Sequence, residues 1–293
     1  MNGAPEGAAL RRIRGAVLGV GRCGLRPFPW RETRDPWAVL VSEVMLQQTQ
    51  AQRVVAPYLT FLDRFPTASD CARAGLGPVL ESWAGLGYNR RARHLHRAAQ
   101  AVVDRHGGTV PADLASLLDL PGVGEYTARA VLVFAFERDE AVVDVNVARV
   151  LTRAVAGARL SGRAAQSLAD SLVPAGRAWE WNQALMELGA ATCRSRAPAC
   201  GRCPLSPSCA WFNSEPGEPD PAARAPRQTR FQGSDRQGRG RLVDALRSGP
   251  VSPGRLRLAC GWPEDPERAR RVADDLLAEG LARRGPGDAL VLP

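Results

Sequence analysis

Four cysteines stand close together in CRSRAPACGRCPLSPSC, at 193, 200, 203 and 209. Proline and glycine fill the gaps of this C-x6-C-x2-C-x5-C spacing, so the chain can fold back and aim four sulfurs at one centre. Thiolates gathered this way suit an iron–sulfur cluster or zinc, and the absence of histidine among them fits both. Disulfides belong to oxidising compartments, and Met1–Leu10 shows no positively charged stretch leading into an apolar one. A metal or cluster is the stronger reading of Cys193, Cys200, Cys203 and Cys209.

Two carboxylates sit in apolar sequence. Glu43 lies inside PWAVLVSEVMLQQ, flanked by Val41, Val44, Met45 and Leu46. It is either a surface residue between apolar rows or an acid held in a dry pocket, and on this segment alone the surface reading is simpler. Asp144, in VVDVNVARV, stands between apolar neighbours at the start of a helical pattern, the position of an N-cap. A third feature is the turn Leu120-Pro-Gly-Val-Gly124, followed by a helix from Glu125. Its glycines let backbone N–H groups approach an anion, and the helix N-terminus adds partial positive charge. Such a helix–hairpin–helix grips a DNA phosphate without reading sequence.

The elements that must position these groups read as helices. Gly7–Val20 is the first, and prolines at 27, 29 and 36 stop it from continuing. Asp35–Pro36 is a start signal for a helix with Trp37, Val41, Val44 and Met45 on one face. Helical periodicity then runs through 51–65, 78–84, 90–106 and 113–118, with no alternating run of strand length. The start of 90–106 carries Arg90, Arg91, Arg93, His94, His96 and Arg97, and is expected to be a solvated or phosphate-facing surface. His94 and His96 face different sides of a helix, which argues against a metal pair. The helix EWNQALMELGA leads to the cysteines, where small Gly189 and Ala190 permit close packing. Residues 215–239 have linker composition. Beyond them, helices at 240–248, 254–260 and 265–279 and a short hairpin read as a winged-helix-like unit.

At 293 residues, 45% hydrophobic and 24% charged, the chain can bury a sizeable core. It has no apolar run of roughly eighteen residues, so a cytoplasmic protein without a membrane span is expected. The net charge of +9 favours an acidic partner, nucleic acid first. All 39 basic residues are arginine, so no side-chain amine is available for a Schiff base. Cys23, Cys71 and Cys260 lack partners at ligand spacing and read as packing residues.

Taken together, FPWR at 28–31, SEVMLQQTQ at 42–50, GLGY at 85–88, LPGVG-x-Y-TA at 120–128, VDVNV-x-RV at 143–150, NQALMELGA at 182–190 and the four cysteines resemble one family. It is the helix–hairpin–helix DNA glycosylases with an iron–sulfur cluster, and within it the adenine glycosylase (MutY) branch. The resemblance implies a mainly α, two-lobed fold. A glycosylase domain would span 1–214, with a six-helix lobe at about 30–138 and a cluster lobe from 1–29 plus 139–214. Beyond the resemblance, composition and pattern give a linker at 215–232 and a small winged-helix-like domain at 233–293. The resemblance also implies a [4Fe–4S] cluster rather than zinc, and a monomer acting on double-stranded DNA with an A:8-oxoguanine or A:G mispair.

By the same resemblance, Glu43 protonates the leaving adenine and Asp144 stabilises the sugar cation or adds to it, with Tyr126 and Asn146 positioning the pair. Trp30, Arg31, Leu46 and Glu187 line the pocket for the extruded base. Gln48, Thr49, Leu86 and Tyr88 wedge into the stack, and Gly122, Val123, Gly124 and Gln183 face the DNA. The chemistry follows the two-carboxylate logic of glycoside hydrolysis. Glu43, between Val and Met, is expected to hold a proton, and Asp144, at a helix N-terminus, to stay ionised.

Departures from the family pattern are Asn89 after GLGY, Val145 between Asp144 and Asn146, and a C-terminus too short and too helical for the usual Nudix-like β domain. Endonuclease III-like relatives carry lysine where Tyr126 stands, so a glycosylase without Schiff-base lyase activity is expected. Two other readings share features: a mismatch-specific thymine or uracil glycosylase, and a non-catalytic iron–sulfur DNA-binding protein. The second has no use for Glu43 and Asp144 together.

Overall fold

The computed structural model describes residues 3–223 and 230–293. In chain order the helices are α1 (Gly3–Arg22), α2 (Pro36–Leu46), α3 (Ala51–Arg64), α4 (Ala68–Arg73), α5 (Leu76–Ser82), α6 (Arg90–His106), α7 (Leu114–Leu118) and α8 (Glu125–Phe136). After them come α9 (Val145–Val150), α10 (Gly162–Leu172), α11 (Ala178–Glu187), α12 (Asp235–Ser248), α13 (Leu256–Cys260) and α14 (Pro266–Ala278). Strands β1 (Arg283–Arg284) and β2 (Leu290–Val291) pair antiparallel. Among the described residues no helix is long and apolar enough to cross a membrane.

Two compact units form, Met1–Arg34 with Gly124–Pro226, and Asp35–Val123 with Arg227–Pro293. The expected lobe boundary near 138 therefore falls at 123, because α8 packs with α11 in the cysteine-bearing unit. Residues 233–293, expected to stand apart, group with 35–123. The expected linker 215–232 lies partly outside the described residues, at 224–229.

In the first unit α1 lies along α11. Val17, Trp181, Ala184, Leu185 and Leu188 close a core with Val147, Val150 and Leu151, and Leu205 and Cys209 join it. The cysteine loop is thus anchored by apolar burial at its far end. Arg153, 2% exposed, fixes the loop's near end by donating to the Arg194 carbonyl at 2.7 Å and pairing with Asp220 at 2.6 Å.

In the second unit every residue from Trp37 to Met45 is buried, so α2 is a core helix rather than an amphipathic one. Its start follows the sequence signal: Asp35 accepts from the Ala38 N–H at 2.7 Å and Pro36 opens the helix. α4 and α5 pack on α6 around Trp83, Leu95, Ala99 and Val102. In the C-terminal helices and β2, Leu242, Val243, Leu246, Val272, Leu276 and Leu290 are buried. α12 begins at Asp235, five residues before the expected start, because Ser234 caps it and Gly238 leaves the space that the Trp262 ring fills. A Cβ on Gly238 would meet that ring at 2.1 Å. Of the packing cysteines, Cys71 and Cys260 are buried as expected, but Cys23 is exposed.

Replacing Asp35 with Ala removes the cap of the helix that carries Glu43. Urea denaturation is expected to show a loss of about 1 kcal/mol, with an unchanged m-value.

Candidate active site and cysteine cavity

Asp144 is the N-cap of α9. Its Oδ1 accepts from the backbone N–H groups of Asn146 at 2.9 Å and Val147 at 2.7 Å, and its Oδ2 from the Asn146 side-chain amide at 2.7 Å. The carboxylate therefore has one orientation. Burial nonetheless pushes its pKa above the ordinary carboxylate value, against the opposing pull of Val147, Asn146 and nearby Arg149. The helix N-terminus was expected to favour the ionised form; desolvation opposes it and is the larger effect. Val145, between the two, is 64% exposed.

Asn146 is fixed in turn by Arg149, whose guanidinium donates to Asn146 Oδ1 at 2.8 Å, the Gly189 carbonyl at 2.7 Å and the Cys193 carbonyl at 2.7 Å. Gly189 lies in a wide π-helical turn, Leu188–Thr192, and a Cβ there would stand 2.8 Å from the Asn146 carbonyl oxygen. The small residue serves this approach to α9. Arg149 was not singled out by sequence, though Asn146, Arg149 and Arg153 recur at helical spacing on one face.

Glu187, Arg31, Gln183 and Trp30 come together. Glu187, 7% exposed, accepts from Arg26 at 2.7 Å and Arg31 at 3.0 Å, and Arg31 Nε donates to Gln183 Oε1 at 2.8 Å. Trp30 stacks on Phe28 with centroids 4.8 Å apart, and the Arg26 and Arg31 guanidinia lie 5.1 and 5.2 Å from the centre of the Phe28 ring. Sequence reasoning missed Arg26, the second cation on Glu187. Tyr126, in the first turn of α8, is half-buried.

In the other unit Glu43 is 5% exposed, which overturns the surface reading, and Leu46 is half-buried. Gln48 and Tyr88 are exposed and both have left-handed backbone, φ +56° and +47°, strained for non-glycine residues. What holds them is Arg91. Its Nη1 donates to the carbonyls of Val44, Met45 and Gln47 at 3.0, 2.8 and 2.6 Å. Its Nη2 reaches Thr49 Oγ1, Leu86 O and Gly87 O at 3.0, 3.0 and 3.1 Å. Burial pushes this guanidinium down to about 10. Arg91 is therefore not part of a solvated surface, as expected from sequence; it is the tie between two loops. Leu86, expected in the wedge, is 4% exposed and belongs to the core, its side chain placed there by the turn following Trp83. In the hairpin, Gly122 is exposed at φ +79° because the His94 side chain would meet a Cβ at 2.5 Å. Val123 is buried, and Gly124 is exposed at the N-cap of α8.

Cys193, Cys200, Cys203 and Cys209 line one cavity, walled by Val150, Leu188, Leu205 and Trp211. Arg153 Nη1 points at Cys193 Sγ from 3.5 Å. Burial, then neighbouring sulfurs, raise the Cys203 and Cys209 thiols above their usual range, with backbone N–H groups opposing. Among the described residues no group of three or more His, Cys, Asp or Glu is gathered tightly enough to hold a metal ion. The expected convergence on a single centre is thus a shared cavity here. Arg194, Arg196 and Arg202 on the same loop are exposed.

A helical chain with a glycine hairpin, a capped aspartate and a four-cysteine loop defines a class, and comparison with known proteins agrees. The family of HhH-GPD superfamily base excision DNA repair proteins matches residues 41–172, a span holding Glu43, the hairpin and Asp144. An adenine DNA glycosylase of Mycolicibacterium smegmatis is 44% identical over 263 residues, 88% of each chain. One of Mycobacterium tuberculosis is 43% identical over 274 residues, 92% of this chain and 89% of its own. That match is too long to stop before the C-terminal unit. A solved thermostable thymine-DNA glycosylase has a TM-score of 0.68 at 33% identity, covering 71% of this chain and 98% of its own. Endonuclease III bound to DNA, 23% identical with a TM-score of 0.61 over 69% of this chain and 96% of its own, shares the fold.

The chain belongs to the helix–hairpin–helix superfamily of base excision DNA repair proteins. Within it the chain is a member of the adenine DNA glycosylase family, a hydrolase of N-glycosyl bonds that acts on DNA.

The raised pKa of Asp144 means that the folded state binds a proton more tightly than the unfolded chain, so this group's contribution to stability is complete at low pH and is lost as pH rises. Stability of the wild type relative to Asp144→Asn is therefore expected to fall with pH, beginning near the ordinary value of 3.8 and ending above Asp144's own pKa. Chemical denaturation of both proteins from pH 4 to 7 measures it; a flat difference contradicts it.

Proposed function

We propose that this chain removes adenine mispaired with 8-oxoguanine or guanine, acting as a monomeric, monofunctional cytoplasmic glycosylase. The observation that carries this reading is Glu43, an acid 5% exposed in the middle of a helix whose neighbours Val41, Val44 and Met45 are buried with it. Adenine leaves easily only when protonated, and an acid shielded from water can supply that proton. In the proposed reaction the target base is rotated out of the stack. Glu43 gives its proton to the leaving adenine as the bond to C1′ breaks, Asp144 offsets the positive charge on the sugar, and water adds at C1′. Asn146 keeps the Asp144 carboxylate in one orientation, and Tyr126 helps position the pair. Trp30, Arg31, Leu46 and Glu187 line the base pocket. Gln48, Thr49 and Tyr88 enter the duplex, while Gly122, Val123, Gly124 and Gln183 face its backbone. The absence of lysine supports a reaction that stops at an abasic site.

The four cysteines are proposed to hold a [4Fe–4S] cluster with a structural role. Support comes from the donor set, all thiols, and from the single cavity that the four of them line. When bound, such a cluster braces the loop that carries Arg194, Arg196 and Arg202.

Single-turnover assays on A:8-oxoguanine, A:G, T:G and U:G duplexes test the reading. Adenine release from the first two is expected, with strands intact until alkali or heat is applied. Glu43→Gln should slow release by about 10²- to 10⁴-fold. Release of thymine or uracil without adenine would favour the activity named for the thymine-DNA glycosylase instead. Iron and labile sulfide are expected at about four each per chain, and Cys200→Ser should lower both.

A further inference from the structure

Among the described residues three aromatic side chains are exposed: Tyr88 at 42%, Phe212 at 49% and Phe231 at 58%. Two of the three converge on one cation. An Arg236 Nη1 lies 3.5 Å from the Tyr88 hydroxyl, and its guanidinium carbon is 5.9 Å from the centre of the Phe231 ring. Tyr88 comes from the loop before α6, while Phe231 and Arg236 flank the start of α12, 148 residues later for the Arg236–Tyr88 pair.

Both sides of this cluster are pinned to each other. Arg247 of α12 donates to the Leu80 carbonyl at 2.9 Å and to Asn89 Oδ1, the residue after Tyr88, at 3.0 Å. Arg90 pairs with Glu279 at 3.1 Å, and Arg93 donates to the Glu279 carbonyl. The Arg91 N–H is bonded to the Tyr88 carbonyl at 2.9 Å, which fixes the loop.

Two exposed rings around a guanidinium form a surface with π-faces for stacking and a cation for phosphate. That chemistry suits an unstacked nucleic-acid base with its adjoining backbone. We infer that Tyr88, Arg236 and Phe231 form one surface that receives the DNA strand opposite the excised base, Phe231 stacking on a base unstacked by the opening and Arg236 meeting the adjacent phosphate. This rests on the reading that the enzyme opens a duplex at a mispair. It makes the C-terminal unit, read from sequence as a small winged-helix-like domain, part of the reading face.

The test uses full-length protein and duplexes carrying 2′-fluoro-deoxyadenosine, which resists excision, opposite 8-oxoguanine or guanine. Phe231→Ala and Arg236→Ala are expected to weaken binding about tenfold. Base release from ordinary duplex at saturating enzyme should stay within about twofold of wild type, because neither residue touches the reacting bond. The slope of log Kd against log salt should fall by about one for Arg236→Ala, be unchanged for Phe231→Ala, and recover in Arg236→Lys. Wild-type binding and salt dependence in both alanine variants overturn the inference. Should Arg236→Ala prove unstable, Phe231→Ala decides, since its ring is mostly in solvent. Wild-type protein that binds these duplexes but releases no adenine refutes the proposed function and leaves the binding result standing.

Discussion

The arrangement around Asp144 depends on one guanidinium. Arg149 binds the side chain that holds Asp144, the carbonyl of the glycine against which that side chain packs, and the carbonyl of the first of the four cysteines. A fork of fixed N–H directions is needed for three acceptors at once, and a lysine ammonium could not span them in the same way. Asn146 alone could rotate; held by Arg149 it cannot. The carboxylate inherits its geometry from a contact three residues along the helix, and the cysteine loop inherits its entry point from the same contact.

The same device recurs. Arg31 joins Glu187 and Gln183, Arg91 gathers carbonyls from two loops, and Arg153 latches the cysteine loop to Asp220. The net charge of +9 suggests a surface made for DNA, yet these arginines are buried or nearly so and work on the protein's own carbonyls and carboxylates. Exclusive use of arginine has two structural results: one guanidinium can tie several acceptors at once, and no side-chain amine is present for covalent chemistry.

Helix positions were legible wherever a cap or a period marked them. Asp35–Pro36, Glu125 and the stretch 90–106 lie where sequence places them. Gly238 hid the first turn of α12, since its reason is the Trp262 ring, far along the chain. Asp144 was readable as a cap, but the pull of desolvation on it was not, because burial is a sum over the whole fold. Glu43 illustrates the opposite limit: its segment alone favours the surface, and only α2 buried all round makes it an interior acid. Leu86 was misplaced because within a loop sequence does not tell which residue turns inward, and Arg91 because a helix's first turn was read by its charge, not by the carbonyls of the two loops packed against it.

Each compact unit is made of two stretches interleaved along the chain. Arg14 of the first stretch bonds to the Leu172 carbonyl, and Arg247 of the last to the Leu80 carbonyl, contacts that span 158 and 167 residues. On a ribosome neither unit can close when its first half emerges. The N-terminal helix waits for α11, and the lobe around Glu43 waits for α12. Such long-range closure is slow and leaves apolar faces uncovered meanwhile. The cysteine-bearing unit is made in full before the second, so it can close while the partner of α5 is still being synthesised.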